Sequence, residues 1–433
     1  MTIFLRVPMK KLSFLLIALT LASQAWAGCF PSLPSFARWQ DGCGQAWWND
    51  SSLTFYAPFD NPSDPLRLIR GTGSLSFTRA TTATYVHPTT GLITSAASGQ
   101  LRIESNGALI EGQRTNQAPY SEQFNNDFWL KEAISVSANV ATSPDGTNTA
   151  DKLIPDVGIA SHFLWPYTWP SNPDNSPVTH SVFMKQGEWS WGFITIEMKS
   201  GGRKWAYFDL SSGVIGTVTS GATANIETFN NDWYRVSISV ADIETGITSN
   251  YFIIGPTTGD NVETPNGDGS SGIYICGAQR ELAPFPSSYI PTTTAAVTRN
   301  ADVLKMGSDG NFSFLTGTLV VTASALNSGG GLLTGEEQYT TILRFGANNL
   351  VASHPSSSNV GVSWLNNSVS NYYQNGSLKE TNASFTRWGA SDSATLIIGD
   401  NNNDAIYVLF GNIKNLRIWN KSMTDDQLVA LTQ

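Results

Sequence analysis

Short runs in which apolar and polar residues alternate, each closed by a turn cluster, recur along this chain and leave few folds open to it. Tyr234, Val236, Ile238 and Val240 alternate with Arg235, Ser237 and Ser239. Ile194, Ile196 and Met198 alternate with Thr195 and Glu197, and Lys414, Leu416 and Ile418 fall on one side with Asn415 and Arg417 on the other. Period two marks a strand, because successive side chains leave opposite faces. Turns come from Ser200-Gly201-Gly202, Ser211-Ser212-Gly213, Asn266 to Gly269 and Asp400 to Asp404. Many short strands joined by polar turns predict an all-β chain built of two jelly-roll or β-sandwich domains in tandem. One short helix is expected at the end. There Thr424-Asp425-Asp426-Gln427 forms a capping box, and Leu428 and Leu431 share a face.

The first residues read as a signal peptide, 1–27. Met9-Lys10-Lys11 is a basic start, Leu12 to Leu21 an apolar run, and Ala25-Trp26-Ala27 a small-x-small cleavage site. The run is too short to span a bilayer, and no later segment could. The mature chain is therefore expected to be secreted or periplasmic. Lipidation at Cys29 is the alternative, although Trp26 stands where such sites carry Leu, Val or Ile. The charge is −9, and losing Arg6, Lys10 and Lys11 lowers it by three more. An acidic chain does not attract phosphate backbones, so nucleic acid is not an expected partner. Cys29 and Cys43, in a Trp- and Gly-rich tail at 28–52, are expected to pair in an oxidising compartment, while Cys276 reads as a buried free thiol.

Past the tail the chain divides into a strand-rich lead-in at 53–112, a Trp-rich sandwich at 113–299 and a second sandwich at 300–433. Several phrases resemble phage head-spike and tail-fibre proteins. They begin with Phe77-Thr78-Arg79-Ala80-Thr81-Thr82-Ala83-Thr84-Tyr85-Val86, Leu109 to Asn116 and Tyr120-Ser121-Glu122-Gln123-Phe124. Ser143-Pro144-Asp145-Gly146 and Thr149 to Leu153 resemble the start of those proteins' carbohydrate-binding-module-like jelly roll. Trp233 to Ser237 and Gly277 to Glu281 are similar to its later strands, and Ser288 to Thr292 and Val297 to Asp302 to its exit. Gly411 to Asn420 resembles laminin-G or concanavalin-A-like lectin domains. The resemblance implies attachment to a polysaccharide or cell-surface glycan, without catalysis, and a fibre-forming homo-oligomer is the alternative it leaves open. A signal peptide departs from the pattern of proteins assembled inside a cell.

The candidate glycan site is Trp165-Pro166-Tyr167-Thr168-Trp169-Pro170. Its three rings fall on one side of an extended segment and offer stacking surface for sugar C–H faces. Trp189, Trp191 and Trp205 are second candidates, with a core or sheet-face role as their other reading. Asp400 to Asp404 is an oxygen-rich turn that could hold calcium through Asp400 and Asp404 or be a plain solvated hairpin. Glu122 matches a position where the jelly rolls it resembles hold structural calcium. Gly267 to Gly272 fits a dinucleotide fingerprint by letter, but the strand-like Ile273-Tyr274-Ile275-Cys276 follows where a helix is needed. Neither a G-x-S-x-G elbow nor an H-E-x-x-H motif is present. His162, His180 and a Glu197–Asp209 pair are the remaining candidates for acid–base work, and Asp242-Ile243-Glu244 is only a fragment of a glucanase-like acid run.

Overall fold

The computed structural model describes residues 50–167, 176–197, 202–240, 252–307, 310–311, 313, 316–325, 339–345, 348–353, 358–365, 368–381, 395–398 and 411–433. These residues form an all-β protein with one short C-terminal helix, as the alternation predicts. The expected signal peptide, the Cys29–Cys43 pair and the Asp400–Asp404 turn lie outside the described residues.

The two sandwiches are nested. Residues 53–112, read from sequence as a lead-in, supply strands to the C-terminal sandwich. Leu53–Ala57 and Gly107–Ile110 both pair with Gly411–Trp419, and Arg102–Glu104 pairs with Gly107–Ile110. The same sheet continues through Thr316–Ala325, Ser358–Leu365, Ser368–Gln374 and Ser377–Thr381. A five-stranded sheet runs in the order Ser76–Thr78, Val303–Gly307, Thr395–Ile398, Tyr339–Phe345 and Asn348–Ser353. Phe55, Phe59, Phe77 and Ile103 from the first part meet Leu304, Leu319, Val321, Val362 and Ile418 from the last in one core. The closing helix, Asp425–Thr432, has its capping box in place, and Leu428 packs with Leu53, Val320, Tyr373 and Trp419.

One alternation is shifted. Ile413 joins Leu416 and Ile418 in the core, and Lys414 points elsewhere, reaching the Ser105 carbonyl at 3.3 Å. Asn415 takes a left-handed backbone (φ 56°), and the pairing with Thr316–Ala325 slips between Val320 and Thr322. This bulge changes the facing parity midway along the strand.

The inserted jelly roll stands on a ribbon in which Arg114–Asn116 and Val297–Arg299 pair antiparallel. One of its six-stranded sheets is ordered Thr223–Thr228, Trp233–Val240, Val178–Lys185, Ile273–Glu281, Ala150–Pro155, Ile134–Ala141. The other is ordered Val214–Val218, Arg203–Asp209, Trp191–Glu197, Phe252–Thr257, Phe163–Pro166, Trp129–Glu132. Between them Val182, Met184, Ile194, Ile196, Phe208, Val236, Ile238 and Ile254 form the core.

Where the ribbon meets the outer sandwich, several phrases that carry the phage-protein resemblance converge in one buried ionic network. Asp302 accepts from Arg79 (2.9 Å), Arg102 (2.5 Å) and the Glu111 amide (2.9 Å). Glu111 pairs with Arg102 (2.7 Å) and Arg299 (2.5 Å) and accepts from the Ser288 amide and hydroxyl. Burial alone would raise the Glu111 pKa, but Arg299 and Arg102 beside it hold the carboxyl well below the usual range. These residues thus fix the junction of the two sandwiches.

Candidate functional site

The pleat of Trp191–Glu197 sends Ile194 and Ile196 into the core, so Trp191, Phe193 and Thr195 leave the other face. Register then fixes their neighbours. Phe193 lies opposite Tyr207 and Gly255, and Thr195 opposite Trp205 and Ile253. Leu164 opposite Ile254 puts Trp165 beside Ile253 and Phe163 beside Gly255. The result is an aromatic cluster on the outer face of the sheet. Phe193, Tyr207 and Ile253 are buried, while Phe163, Trp165, Trp191 and Trp205 are half-buried around them.

The rings are fitted to one another. Trp205 and Tyr207 stack nearly parallel (8°, centroids 5.9 Å), and Phe193 lies 5.2 Å from Trp205. The Arg203 guanidinium stands 5.9 Å from the ring centres of both Phe163 and Trp205. Gly255 is required here: a Cβ would meet the His162 carbonyl oxygen at 2.4 Å and the Phe193 ring at 2.5 Å. Two hydroxyls on the face, Thr195 Oγ1 and Tyr207 Oη, are buried without a hydrogen-bond partner. Burial, reinforced by Glu263 and Asp260, pushes the Tyr207 pKa up, so the phenol stays protonated. Such a face can stack on apolar ring surfaces and supply a few polar contacts within them.

Of the tryptophans expected from sequence, Trp165, Trp191 and Trp205 meet here although they come from three different strands. Tyr167 follows the end of its strand and is 71% exposed. Trp169 lies outside the described residues. Trp189 packs against the jelly-roll core instead. Phe163, Phe193, Thr195, Tyr207 and Ile253 were missed. Extending the alternation noted at Ile194 and Ile196 to its opposite parity would have found Phe193, since Trp191, Phe193 and Thr195 occupy every second position.

Glu122 lines a cavity of about 260 Å³ with Thr84, Asp145, Cys276 and Tyr289, and accepts from the Tyr289 hydroxyl at 3.0 Å. Burial raises its pKa. No group of three or more His, Cys, Asp or Glu placed to hold a metal occurs among the described residues. Glu197 and Asp209 do not face each other. Asp209 pairs with Trp191 and Glu197 with Arg203, at opposite ends of the hairpin. Six residues of strand separate them by about 20 Å, whereas paired glycosidase carboxylates stand ~5–9.5 Å apart. His162 is buried between the Ala133 and Pro265 carbonyls. His180 is buried against Phe252, which depresses its pKa, and its Nδ1 lies 3.1 Å from the Thr195 carbonyl. Asp242-Ile243-Glu244 lies outside the described residues. The Gly267–Gly272 stretch leads into the strand Ile273–Glu281, as its sequence implied. No described helix is long and apolar enough to cross a membrane. The chain matches no protein-family model and no curated protein.

Proposed function

We propose that this chain is an exported, non-catalytic glycan-binding or surface-attachment protein of phage-fibre type, and that it binds through the outer aromatic face of its inserted jelly roll. The observation that carries the reading is the gathering of Phe163, Trp165, Trp191, Phe193, Trp205 and Tyr207 on a sheet face that does not line the core. Rings on such a face add nothing to the packing between the two sheets. The half-buried ones, Phe163, Trp165, Trp191 and Trp205, offer the flat, amphipathic surface on which a sugar's C–H face stacks while nearby polar groups bond its hydroxyls. The nested build supports an attachment role as well, since it gives the jelly roll a core separate from that of the outer sandwich.

A glycan-array screen of the mature protein beside a Trp191→Ala, Trp205→Ala variant tests this. Selective binding lost in the folded variant is the expected result. A blank array from folded protein that sediments as a stable oligomer would overturn it in favour of a purely structural fibre component.

A further inference from the structure

We infer that Thr195 and Tyr207 are the groups with which the aromatic face selects its ligand, and that the ligand is a linear oligosaccharide lying across the strands from Trp205 to Trp165. This deepens the glycan-binding reading and rests on it.

Two observations carry the inference, and the first is the pair of orphan hydroxyls. Thr195 is 0% and Tyr207 1% exposed, and neither hydroxyl has a partner. An unmade hydrogen bond at a buried hydroxyl is a standing cost, and folded proteins keep few of them. The residues beside Thr195 in register do not relieve it. Ile253 has no polar side-chain atom, and the Trp205 indole N–H makes no bond to the Thr195 oxygen. Tyr207 is held protonated as a donor. Asp260, one of the two carboxylates acting on it, already accepts from the Thr217 amide (2.7 Å) and hydroxyl (2.9 Å). A sugar hydroxyl, which both donates and accepts, would satisfy either group.

The second observation is the spacing. Trp205, Thr195, Ile253 and Trp165 occupy corresponding positions on four adjacent strands. Three strand gaps separate the two tryptophans by about 14 Å. A pyranose ring is about as long as one gap, so the row accommodates about three or four rings, with the Thr195 hydroxyl under the interior of the chain. Neither hydroxyl reaches solvent in the free protein, so docking turns a neighbouring ring. Half-buried Trp205 stands beside both Thr195 and Tyr207 and is the ring to move.

The test measures affinity by calorimetry and tryptophan emission for linear oligomers of glucose, xylose, mannose and N-acetylglucosamine, two to six units long. Affinity is expected to climb at least about tenfold from dimer to tetramer and then level off, with a shift in emission. Thr195→Val keeps the side-chain shape and removes the orphan group. It is expected to melt higher than the parent yet bind about five- to tenfold more weakly, the size of one net hydrogen bond. Tyr207→Phe should repeat that pattern. The opposed signs separate ligand contact from a merely structural role. Parent-like binding by both variants, or affinity independent of length, would overturn this inference and leave the face a glycan site. Array binding confined to branched glycans would also overturn it, and a blank array would remove the glycan-binding reading along with it.

Discussion

Replacing Asp302 by Asn removes one negative charge from the network at the junction of the two sandwiches and almost no volume. Asp302 accepts from two guanidinium groups and one backbone amide, and its side chain, like those of Arg79 and Arg102, is 0% exposed. Two charge-assisted hydrogen bonds contribute about 3–6 kcal/mol together. Breaking a buried ion pair by removing one partner costs about 3–5 kcal/mol, because the other charge stays buried without compensation. Arg102 keeps Glu111 as a partner, whereas Arg79 loses its one carboxylate among the described residues. The expected loss is therefore about 4 kcal/mol. In urea, with a slope of about 3 kcal/mol per molar for a chain of this size, the midpoint should fall by more than about 1 M. Circular dichroism and tryptophan emission, followed together, would measure it. Arg79→Met should also destabilise, and the double variant should lose less than the sum of the two, because the second change removes the charge that the first left stranded. A midpoint shift below about 0.3 M, which is the scale of an exposed ion pair, would refute the account.

Four other outcomes rest on the same geometry. Gly277→Ala should cost about 2 kcal/mol or more, since its backbone is left-handed (φ 63°) and a Cβ would meet the Phe183 ring at 2.8 Å; thermal unfolding reads this directly. Glu111 has a folded pKa depressed below its ordinary 4.5. Its stabilising contribution is complete above that value and disappears as pH falls below it and through the depressed folded value, so Glu111→Gln should destabilise at neutral pH and flatten the acid side of the stability curve. Thr424→Ala removes the capping-box acceptor for the Gln427 amide and should lower stability by about 1 kcal/mol in urea. Cys276, 4% exposed, should react with a thiol reagent only as the protein unfolds, which a timed titration in urea would follow.

The sequence by itself determined what is local. Strand identity comes from alternation at period two, as at Tyr234 to Val240, and the helix start from four consecutive residues, Thr424 to Gln427. Which tryptophan goes where was only partly legible. Trp165, Trp191 and Trp205 share one sheet face because of register between strands, and no local pattern distinguishes them from Trp189, which turned toward the core. The nesting of the sandwiches was not legible either. Leu53–Ala57 pairs with a strand more than 350 residues away, and the lead-in strands look the same whether their partners are the nearest strands or those at the chain's end. Arg79, Glu111, Arg299 and Asp302 lie in the phrases that carry the resemblance, and Arg102 lies in none of them; the charge balance that holds the five buried exists only once the ribbon closes. The physical reason is common to these cases. Side-chain direction is set by each residue's own backbone, while pairing, burial and compensation of charge depend on partners that the chain brings together only by folding.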